Sequence, residues 1–365
     1  MGALFPFLPL LLEERGLAPD RIAQIMVLGP VANLFVPAIW GVLADVLHAR
    51  IQLLRLACAG AALSALLLLP AKTTLACMLA MAAFSFFRTP ISALSDAIAW
   101  NPAEGRRGEY GHVRVWGSVG FAGAALLLGQ LRRSIDASVI VAATSAAYMI
   151  AAALTFPLRT APVERTVGVL RHAAAIVLRP QVGVFLVATA AYYTAHGAYD
   201  AFFSMHLRTL GFGDGFIGVA WAWGVAAEIA VMTAAPRIVS RVPAGWLLVG
   251  CSAVAVARWL LLAQVHGAAP LLATQTLHGV TFGLWYLALV DFTQSRAPDH
   301  LRTSLQSVVA AALSVGMIGG YLAGGSALAS GGGKLLFLLA AIASSAAFAG
   351  YLAAVLLART ERCKS

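Results

Sequence analysis

The sequence predicts an all-α integral membrane protein whose helices form two six-helix bundles, arranged as parallel repeats. Three observations lead to this prediction: the composition, a series of apolar segments and an internal repeat. Hydrophobic residues make up 61% of the 365 residues and charged residues only 11%, against about 25% charged in an average soluble domain. So few charges could not cover the surface of a soluble protein of this size, and disorder would need low hydrophobicity with high charge.

Apolar segments long enough to cross a bilayer follow one another along the chain. A hydrocarbon core about 30 Å thick needs about 20 apolar residues per helix, and lipid leaves the edge of an open sheet without hydrogen-bond partners. We therefore predict twelve helical spans, numbered in chain order, at residues up to 12, 21–44, 51–69, 74–99, 110–131, 137–158, 181–206, 215–238, 245–264, 269–292, 305–328 and 335–357.

The longest polar break lies between spans 6 and 7 and divides the chain into halves. We expect an N-terminal bundle at 1–158, a cytoplasmic linker at 159–180, a C-terminal bundle at 181–358 and a cytoplasmic tail at 359–365. With the C-terminus inside, the cytoplasmic loops and ends carry fifteen Arg and Lys residues and the outer loops seven, which predicts that both termini are cytoplasmic. The net charge of +10 is spread between apolar segments, which fits anionic lipid and not nucleic acid.

The two halves partly match each other at an offset of 195 residues, since Gly16 falls on Gly211 and Ile22 on Ile217. Because this offset covers six spans, both copies keep the same topology, as in transporters that bind a solute between two bundles. Span 7 begins near Gln181, and 181 minus 195 is −14. We therefore expect helix 1 to be truncated, by about fourteen residues.

Ionisable residues inside the spans are the candidates for function, because charge in a bilayer is costly. Glu228 in span 8 is a candidate proton carrier, since a carboxyl in an apolar span can hold a proton near neutral pH. Arg258 in span 9 needs an anionic partner or an anionic solute, and His278 in span 10 can relay a proton. The alternative for each is a fixed structural role, with Glu228 and Arg258 as a possible ion pair.

A second set of residues predicts the wall of a wet cavity. His196 and Asp200 lie one turn apart in span 7 and could hydrogen-bond to each other, while Arg88 in span 4 could meet the carboxylate of a solute. Aromatic side chains would complete the wall: Tyr192, Trp221 and Trp285. Core packing of the histidine and a fixed partner for the arginine are the alternatives.

Three further charged residues lie near the cytoplasmic ends of spans. Asp96 and Asp291 are repeat mates in spans 4 and 10, and Arg114 lies at about the depth of Asp96. We expect gating or structural ion pairs here and not solute contact. The sequence has no hydrolase elbow, zinc motif or phosphate loop, and its four cysteines show no paired spacing. We therefore expect no enzyme activity, no cofactor and no metal.

Two stretches resemble known transport proteins. GVLADVLHAR (41–50) resembles the signature between the second and third helices of the major facilitator superfamily, in which Gly41, Asp45 and Arg50 fit and the usual glycine near the end is replaced. YGHVRVWGSVGF (110–121) resembles the fifth-helix signature of the 3-phenylpropionate permease branch. That branch is related to lactose and nucleoside proton symporters.

The segments GVAAEI, ARW and QTLHGVTF, which contain Glu228, Arg258 and His278, resemble the same branch in the same order. The resemblance implies a proton symporter with a rocker-switch cycle, in which Arg258 and His278 match the coupling arginine and histidine of lactose permease. That protein's coupling glutamate matches Thr281, and its sugar-binding glutamate matches Val225. These departures argue against lactose as the solute and leave Glu228 as the proton carrier.

We expect a proton-coupled symporter that imports a small organic solute across the cell (inner) membrane and works as a monomer. The resemblance favours an aromatic carboxylate such as 3-phenylpropionate, anchored by Arg88 or Arg258. Asp200, where the branch is expected to have an aromatic residue, would repel a carboxylate unless it is protonated or paired. The alternatives are a sugar or nucleoside proton symporter, a drug or metabolite exporter of the same fold, and a non-transporting membrane sensor.

Overall fold

The computed structural model describes residues 2–99, 109–158, 180–295 and 302–362, and these ranges are helical without any strand. In the first half the described helices are α1 (Leu8–Glu14), α2 (Pro19–Met26), α3 (Leu28–Leu47), α4 (Arg50–Leu66), α5 (Thr74–Arg88), α6 (Pro90–Ala99), α7 (Glu109–Leu131) and α8 (Ser138–Leu154). In the second half they are α9 (Pro180–Thr209), α10 (Asp214–Val239), α11 (Ala244–Leu262), α12 (Ala268–Thr276), a π-helical turn (Gly279–Leu284), α13 (Trp285–Gln294) and α14 (Arg302–Arg362).

The predicted spans appear as helices, and several are interrupted. Span 4 consists of α5 and α6, because Pro90 lacks the N–H that would continue the helical ladder. Spans 11 and 12 lie within α14, which breaks at Gly332 with φ 64° and ψ −165°. The described stretches long and apolar enough to cross a membrane are Pro19–Leu47, Thr74–Asp96, Asp214–Ala235, Ala244–Leu262 and Leu305–Leu357. The all-helical prediction is confirmed.

The chain divides into two compact units. Unit 1 comprises Met1–Arg165 with Leu207–Val219, and unit 2 comprises Thr166–His206 with Ala220–Ser365. The last turn of α9 and the first turns of α10 therefore belong to unit 1. The bundle boundaries drawn from the sequence stay predictions, and the linker at 159–180 lies, apart from its last residue, outside the described residues.

The internal repeat is visible in the backbone. Gly16 and Gly211 both adopt the left-handed conformation, with φ of 80° and 87°, which costs glycine little because it has no Cβ. Helices α2 and α10 begin at residues 19 and 214, and α6 and α13 begin at 90 and 285, so each pair is again 195 residues apart. The repeat predicted from a few sequence matches thus extends to turns and helix starts.

Unit 1 has a buried hydrophobic cluster and a wide apolar surface. Phe7 and Phe84 are fully buried elsewhere in the unit. The cluster comprises Trp40, Ala44, Leu53, Leu54, Ala57, Cys58, Leu94 and Ala152. Large apolar side chains such as Phe35, Leu79 and Leu127 are more than 60% exposed on α3, α5 and α7. Such exposure is expected of helices whose outer faces are solvated by lipid.

Four charged side chains at helix ends close a ring within unit 1, which we call the ion ring: Glu14, Arg132, Arg208 and Asp214. Arg132 donates to Glu14 at 2.5 Å and to Asp214 at 3.1 Å. Arg208 donates to the same two carboxylates, at 3.0 Å and 2.7 Å. Each arginine therefore serves both acids, and the Arg132 and Asp214 side chains are only 8% and 10% exposed.

Helices α7 and α10 approach closely beside the ion ring. A Cβ added to Gly129 would lie 2.7 Å from the Asp214 carbonyl oxygen and 3.0 Å from Gly218 Cα. A Cβ added to Gly218 would lie 2.5 Å from the carbonyl oxygen of Ala125. Only glycine permits this backbone approach, so the two helices are held by packing as well as by charge.

Candidate functional site

Most of the predicted site residues lie in unit 2. These are Tyr192, His196, Asp200, Trp221, Glu228, Arg258, His278 and Trp285. Arg88 lies in unit 1, together with the residues predicted for gating or structure that come from the first half. Within the described ranges, no three His, Cys, Asp or Glu side chains are grouped so that they could hold a metal ion.

Arg258 forms the centre of a buried hydrogen-bond cluster, which we call the arginine centre (Arg258, Thr274, Gln275, His278 and Thr281). Its Nε donates to the Thr274 carbonyl oxygen at 3.2 Å. Its Nη1 lies 3.2 Å from His278 Nδ1 and 3.0 Å from Thr281 Oγ1, and its Nη2 donates to Gln275 Oε1 at 3.0 Å. These four acceptors are uncharged, so they solvate a fully buried guanidinium without neutralising it.

The geometry assigns the tautomer of His278. A guanidinium can only donate, so His278 Nδ1 accepts from Arg258 and the ring proton belongs on Nε2. The guanidinium also packs over aromatic faces, with Cζ 4.5 Å from the Tyr199 ring centroid and 4.6 Å from that of Trp259. These cation–π contacts are a second way in which neutral groups stabilise this buried cation.

The π-helical turn positions two members of the arginine centre. It begins directly after His278 and contains Thr281. At its end Trp285 N–H bonds to the Val280 carbonyl oxygen, five residues back, and the Thr281 carbonyl oxygen accepts from the Tyr192 hydroxyl at 2.5 Å. Single π turns inside α-helices are frequent at functional sites. No local residue pattern in the sequence predicts this turn.

Glu228 lies half-buried on α10, against the same π-helical turn. A Cβ added to Gly283 would lie 3.2 Å from Glu228 Cγ and 3.4 Å from its carbonyl oxygen, so the absence of a side chain there admits Glu228. The acid also acts electrostatically on the Tyr193 phenol, as Asp200 does. An ion pair between Glu228 and Arg258 stays a prediction.

The predicted cavity aromatics are buried and stacked in this structure. Tyr192 stacks on Trp285 at 4.3 Å between centroids and on His196 at 4.6 Å. The hydrogen bond expected between His196 and Asp200 is absent: His196 Nδ1 lies 3.3 Å from the Tyr192 carbonyl oxygen, and Nε2 has no hydrogen-bond partner among the described residues. Stacking on Tyr192 turns the ring toward its own helix backbone. Trp221 is also buried.

Arg88 lies at the C-terminus of α5 and is half-buried. Its Nη2 and the Ser85 hydroxyl both face Gly29 on α3. The positive charge of Arg88 also acts electrostatically on the Tyr148 phenol of α8. The fixed carboxylate partner that the sequence left open as an alternative is not found among the described residues.

The residues predicted for gating or structure have mixed outcomes. Asp45 and Arg50, in the loop signature that begins at Gly41, form an ion pair of 2.7 Å. Asp96 is half-buried and Asp291 is exposed. The Arg114 side chain lies outside the part of the chain that the structure describes, so its pairing with Asp96 stays a prediction.

Sequence reasoning missed Gln275 and Ser85. Gln275 Oε1 accepts from both Tyr199 and Arg258. Ser85 is fully buried with its hydroxyl unpaired among the described residues. A signal for Gln275 was present, because an amide inside an apolar span has nearly the same need for a partner as a charge has. For Ser85 no signal existed, since serines are common in membrane helices.

Comparison with known proteins gives a consistent result. The model of a family described as the MFS_1 like family matches residues 1–339. The maltose permease of Geobacillus stearothermophilus is 30% identical over 330 residues, 88% of this chain and 84% of that protein. The probable 3-phenylpropionic acid transporter of Escherichia coli (strain K12) is 27% identical over 323 residues, 87% of this chain and 84% of that protein. A crystal structure of nucleoside transporter NupG has a TM-score of 0.85 at 17% identity, over 97% of this chain and 95% of that chain, which shows a shared fold.

Proposed function

Because this chain belongs to the MFS_1 like family, and is thus a multi-pass membrane transporter of small molecules and not an enzyme, we propose that it is a proton symporter that imports an organic solute. The membership and the NupG likeness confirm the resemblance to the major facilitator superfamily and the fold predicted from the sequence. Proton coupling, the direction of transport and the solute are our proposal.

The observation that carries the proposal is the buried arginine centre. The Arg258 guanidinium is fully buried and donates to four neutral acceptors, while Asp200 acts on it electrostatically without a hydrogen bond between them. A buried positive charge held mainly by neutral groups is costly in a low-dielectric surrounding. A carboxylate that ionises nearby would lower that cost. The same carboxylate, once protonated, would leave Arg258 to its neutral acceptors, as in this structure. Arg258 is therefore suited to stabilise a proton carrier in its deprotonated state.

Glu228 is the proton carrier in this proposal. It is half-buried on a membrane helix and packs on the π-helical turn that contributes His278 and Thr281 to the arginine centre. Loss of its proton would create a charge that attracts Arg258, which must then give up part of its present hydrogen bonding. His278, whose Nδ1 accepts from Arg258, would sense or relay this change.

An aromatic carboxylate such as 3-phenylpropionate is the leading solute. A relative over most of the chain is described as a probable 3-phenylpropionic acid transporter. The rings of Tyr192, His196 and Trp285 are buried and stack on one another in this structure. A phenyl group of the solute would stack on a ring face that this column exposes during the transport cycle. A proton taken up with the solute would offset its negative charge, so the pair would cross without net charge.

A sugar or nucleoside is the second candidate. Asp200 and Glu228 are two half-buried acids near Tyr193, and carboxylates beside aromatic rings can accept hydrogen bonds from hydroxyl groups while the rings stack on the solute. The similar proteins include a maltose permease and, in fold, a nucleoside transporter. With a sugar or nucleoside, Asp200 and Glu228 would both accept hydrogen bonds from the solute. An aromatic carboxylate has no hydroxyl groups that would need these two acceptors.

The decisive experiment is Glu228→Gln in proteoliposomes, assayed with labelled 3-phenylpropionate. We expect the variant to lose accumulation driven by an inward proton gradient but to keep exchange of internal for external solute, because exchange needs no net proton movement. Thr233→Val on the same helix, which removes an exposed hydroxyl, is the control and should keep both activities. Gradient-driven accumulation by Glu228→Gln would refute the proposal.

The proposal also includes the setting of the protein. It works as a monomer in the cell (inner) membrane, with both termini in the cytoplasm. A functional unit containing two bundles needs no second copy to complete its site. The excess of Arg and Lys in the predicted cytoplasmic loops supports the orientation.

A further inference from the structure

Arg88 is a half-buried cation with no ion-pair partner among the described residues. Within the described residues its guanidinium makes no hydrogen bond and has no carboxylate within ion-pair distance. Arg132, Arg208 and Arg258, in contrast, all donate to several acceptors. A guanidinium carries five donors and cannot lose its charge, so Arg88 is equipped for an acceptor that the described part of the chain does not supply.

Ser85 is a second unpaired donor, one turn before Arg88. Its side chain is fully buried, and its hydroxyl has no hydrogen-bond partner among the described residues. Residues three apart on a helix lie on the same face. Because a buried hydroxyl is normally paired, this one points to a missing acceptor at the same place.

Gly29 on α3 marks where the acceptor fits. A Cβ added there would lie 3.8 Å from Arg88 Nη2 and 4.0 Å from Ser85 Oγ, and no other described atom outside the adjoining turns of α3 lies within 4 Å. Both donors therefore lie within van der Waals distance of the space that a side chain at position 29 would occupy, which we call the opening.

The repeat provides an independent comparison. Gly224 is the repeat mate of Gly29, since 29 plus 195 is 224. A Cβ added to Gly224 would lie 3.4 Å from Gln275 Oε1 and 3.5 Å from His278 Cδ2. In unit 2 the corresponding place thus faces the acceptors of the arginine centre. In unit 1 it faces a cation and a hydroxyl.

We propose that Arg88, Ser85 and Gly29 form a subsite for the carboxylate of the transported solute. The assignment rests on the proposed function, because it takes the solute to be an organic acid. A carboxylate has two oxygens for the parallel N–H groups of one guanidinium and a spare lone pair for a hydroxyl. Arg88 and not Arg258 is the anchor, since Arg258 already donates to four protein acceptors.

A monoanion fits this subsite better than a phosphate group does. Among the described residues Arg88 supplies the positive charge at the opening, and Ser85 adds a neutral donor. A phosphate dianion would keep one charge without compensation in a half-buried place. The subsite therefore selects a carboxylic acid over its neutral amide, and a carboxylate over a phosphate.

The test is equilibrium binding to the purified full-length chain, without any gradient, of 3-phenylpropionate, its amide and inorganic phosphate. Arg88→Gln should weaken binding of the acid by about tenfold or more and leave the amide unchanged. Gly29→Ala should do the same by filling the opening, although alanine is the better helix former. Gly123→Ala, on an exposed face with nothing within 4 Å, and Arg21→Gln, an exposed arginine, are the controls.

Ser85→Ala separates binding from folding. Removal of an unpaired buried hydroxyl should raise the melting temperature of the empty protein and yet weaken binding of the acid. Equal affinity of wild type, Arg88→Gln and Gly29→Ala for the acid would overturn the subsite, as would Arg88-dependent binding of phosphate alone or no binding of the acid by wild type. Arg88-dependent binding without proton-driven uptake would support the subsite while refuting the proton coupling.

Discussion

Gln275 Oε1 accepts two hydrogen bonds, one from the Tyr199 hydroxyl at 2.7 Å and one from Arg258 Nη2 at 3.0 Å. Gln275→Met keeps the volume but leaves both donors buried without this acceptor, one of them on a charged group. We expect the free energy of unfolding to fall by about 3 kcal/mol. Gln264→Met, at an exposed amide, should change it by about 0.5 kcal/mol or less. Denaturant unfolding of both variants in detergent checks this, and similar losses would contradict it.

At the residue scale the sequence predicted which groups matter better than how they are paired. Glu228, Arg258 and His278 could be found because charge and titratable rings in apolar spans are rare. The partners of Arg258 could not, since they depend on the register between α11 and α12, which no local pattern sets. The His196–Asp200 prediction failed because spacing along α9 does not show which neighbouring ring the imidazole stacks on, here Tyr192 of the same helix.

At the scale of elements, His48 ends α3 in the left-handed conformation, with φ 53°. This lies within the loop signature, where the usual glycine near the end is replaced. Since only glycine adopts this conformation without a steric penalty, His48→Gly should raise the free energy of unfolding by about 0.5–1 kcal/mol. Ala49→Gly, at a residue with negative φ, is the matched control and should bring no gain. Thermal unfolding of both variants decides between them.

The ion ring makes a second prediction about elements. Asp214→Asn leaves two arginines facing the carboxylate of Glu14, with Glu13 3.8 Å from Arg208 as a more distant acid. The lost carboxylate and the Arg132 side chain are only 10% and 8% exposed. Loss of one partner from a buried charge network costs about 3 kcal/mol. Asp20→Asn removes an exposed, weak pair with Arg21 and should cost about 0.5 kcal/mol or less. A stable Asp214→Asn protein would show that the Gly129–Gly218 contact alone holds α7 and α10 together.

The interrupted helices show what local sequence does and does not predict. Pro90 and Gly332 are residues whose chemistry breaks a helix, so their effects are readable in advance. The π-helical turn over 279–284 has no such marker, although Gly279 and Gly283 within it pack closely against α10. The arginines of the predicted outer loops helped to predict the topology. Their pairing in the ion ring could not be predicted, because it depends on tertiary structure.

At the scale of the whole molecule, the orientation can be tested with single cysteines. We expect a membrane-impermeant maleimide to label Lys72→Cys in intact cells, because this residue lies in a predicted outer loop. His48→Cys, in a predicted cytoplasmic loop, should be labelled only after lysis. Cys58, Cys77 and Cys251 are buried and give little background, and Cys363→Ser removes the remaining thiol. Labelling in the opposite order would invert the topology.

The repeat at the whole-molecule scale was predictable because it leaves matches at a constant offset along the sequence. Gly16 with Gly211 shows how a sequence match becomes the same backbone conformation in both halves. The two halves nevertheless place different chemistry at equivalent positions, as Gly29 and Gly224 show. This chemical difference between equivalent positions cannot be predicted from the similarity of the halves alone, since it depends on the residues that differ between them.

The ion ring also constrains how the sequence can change over evolutionary time. Each arginine pairs with both acids, so reversing one charge creates two repulsions, and no single second reversal repairs both. The charges of the ion ring can be reversed only if all four positions change sign, or if uncharged side chains replace them as intermediates. Positions 14, 132, 208 and 214 should therefore be inherited as a set, although they are spread over 200 residues of the chain.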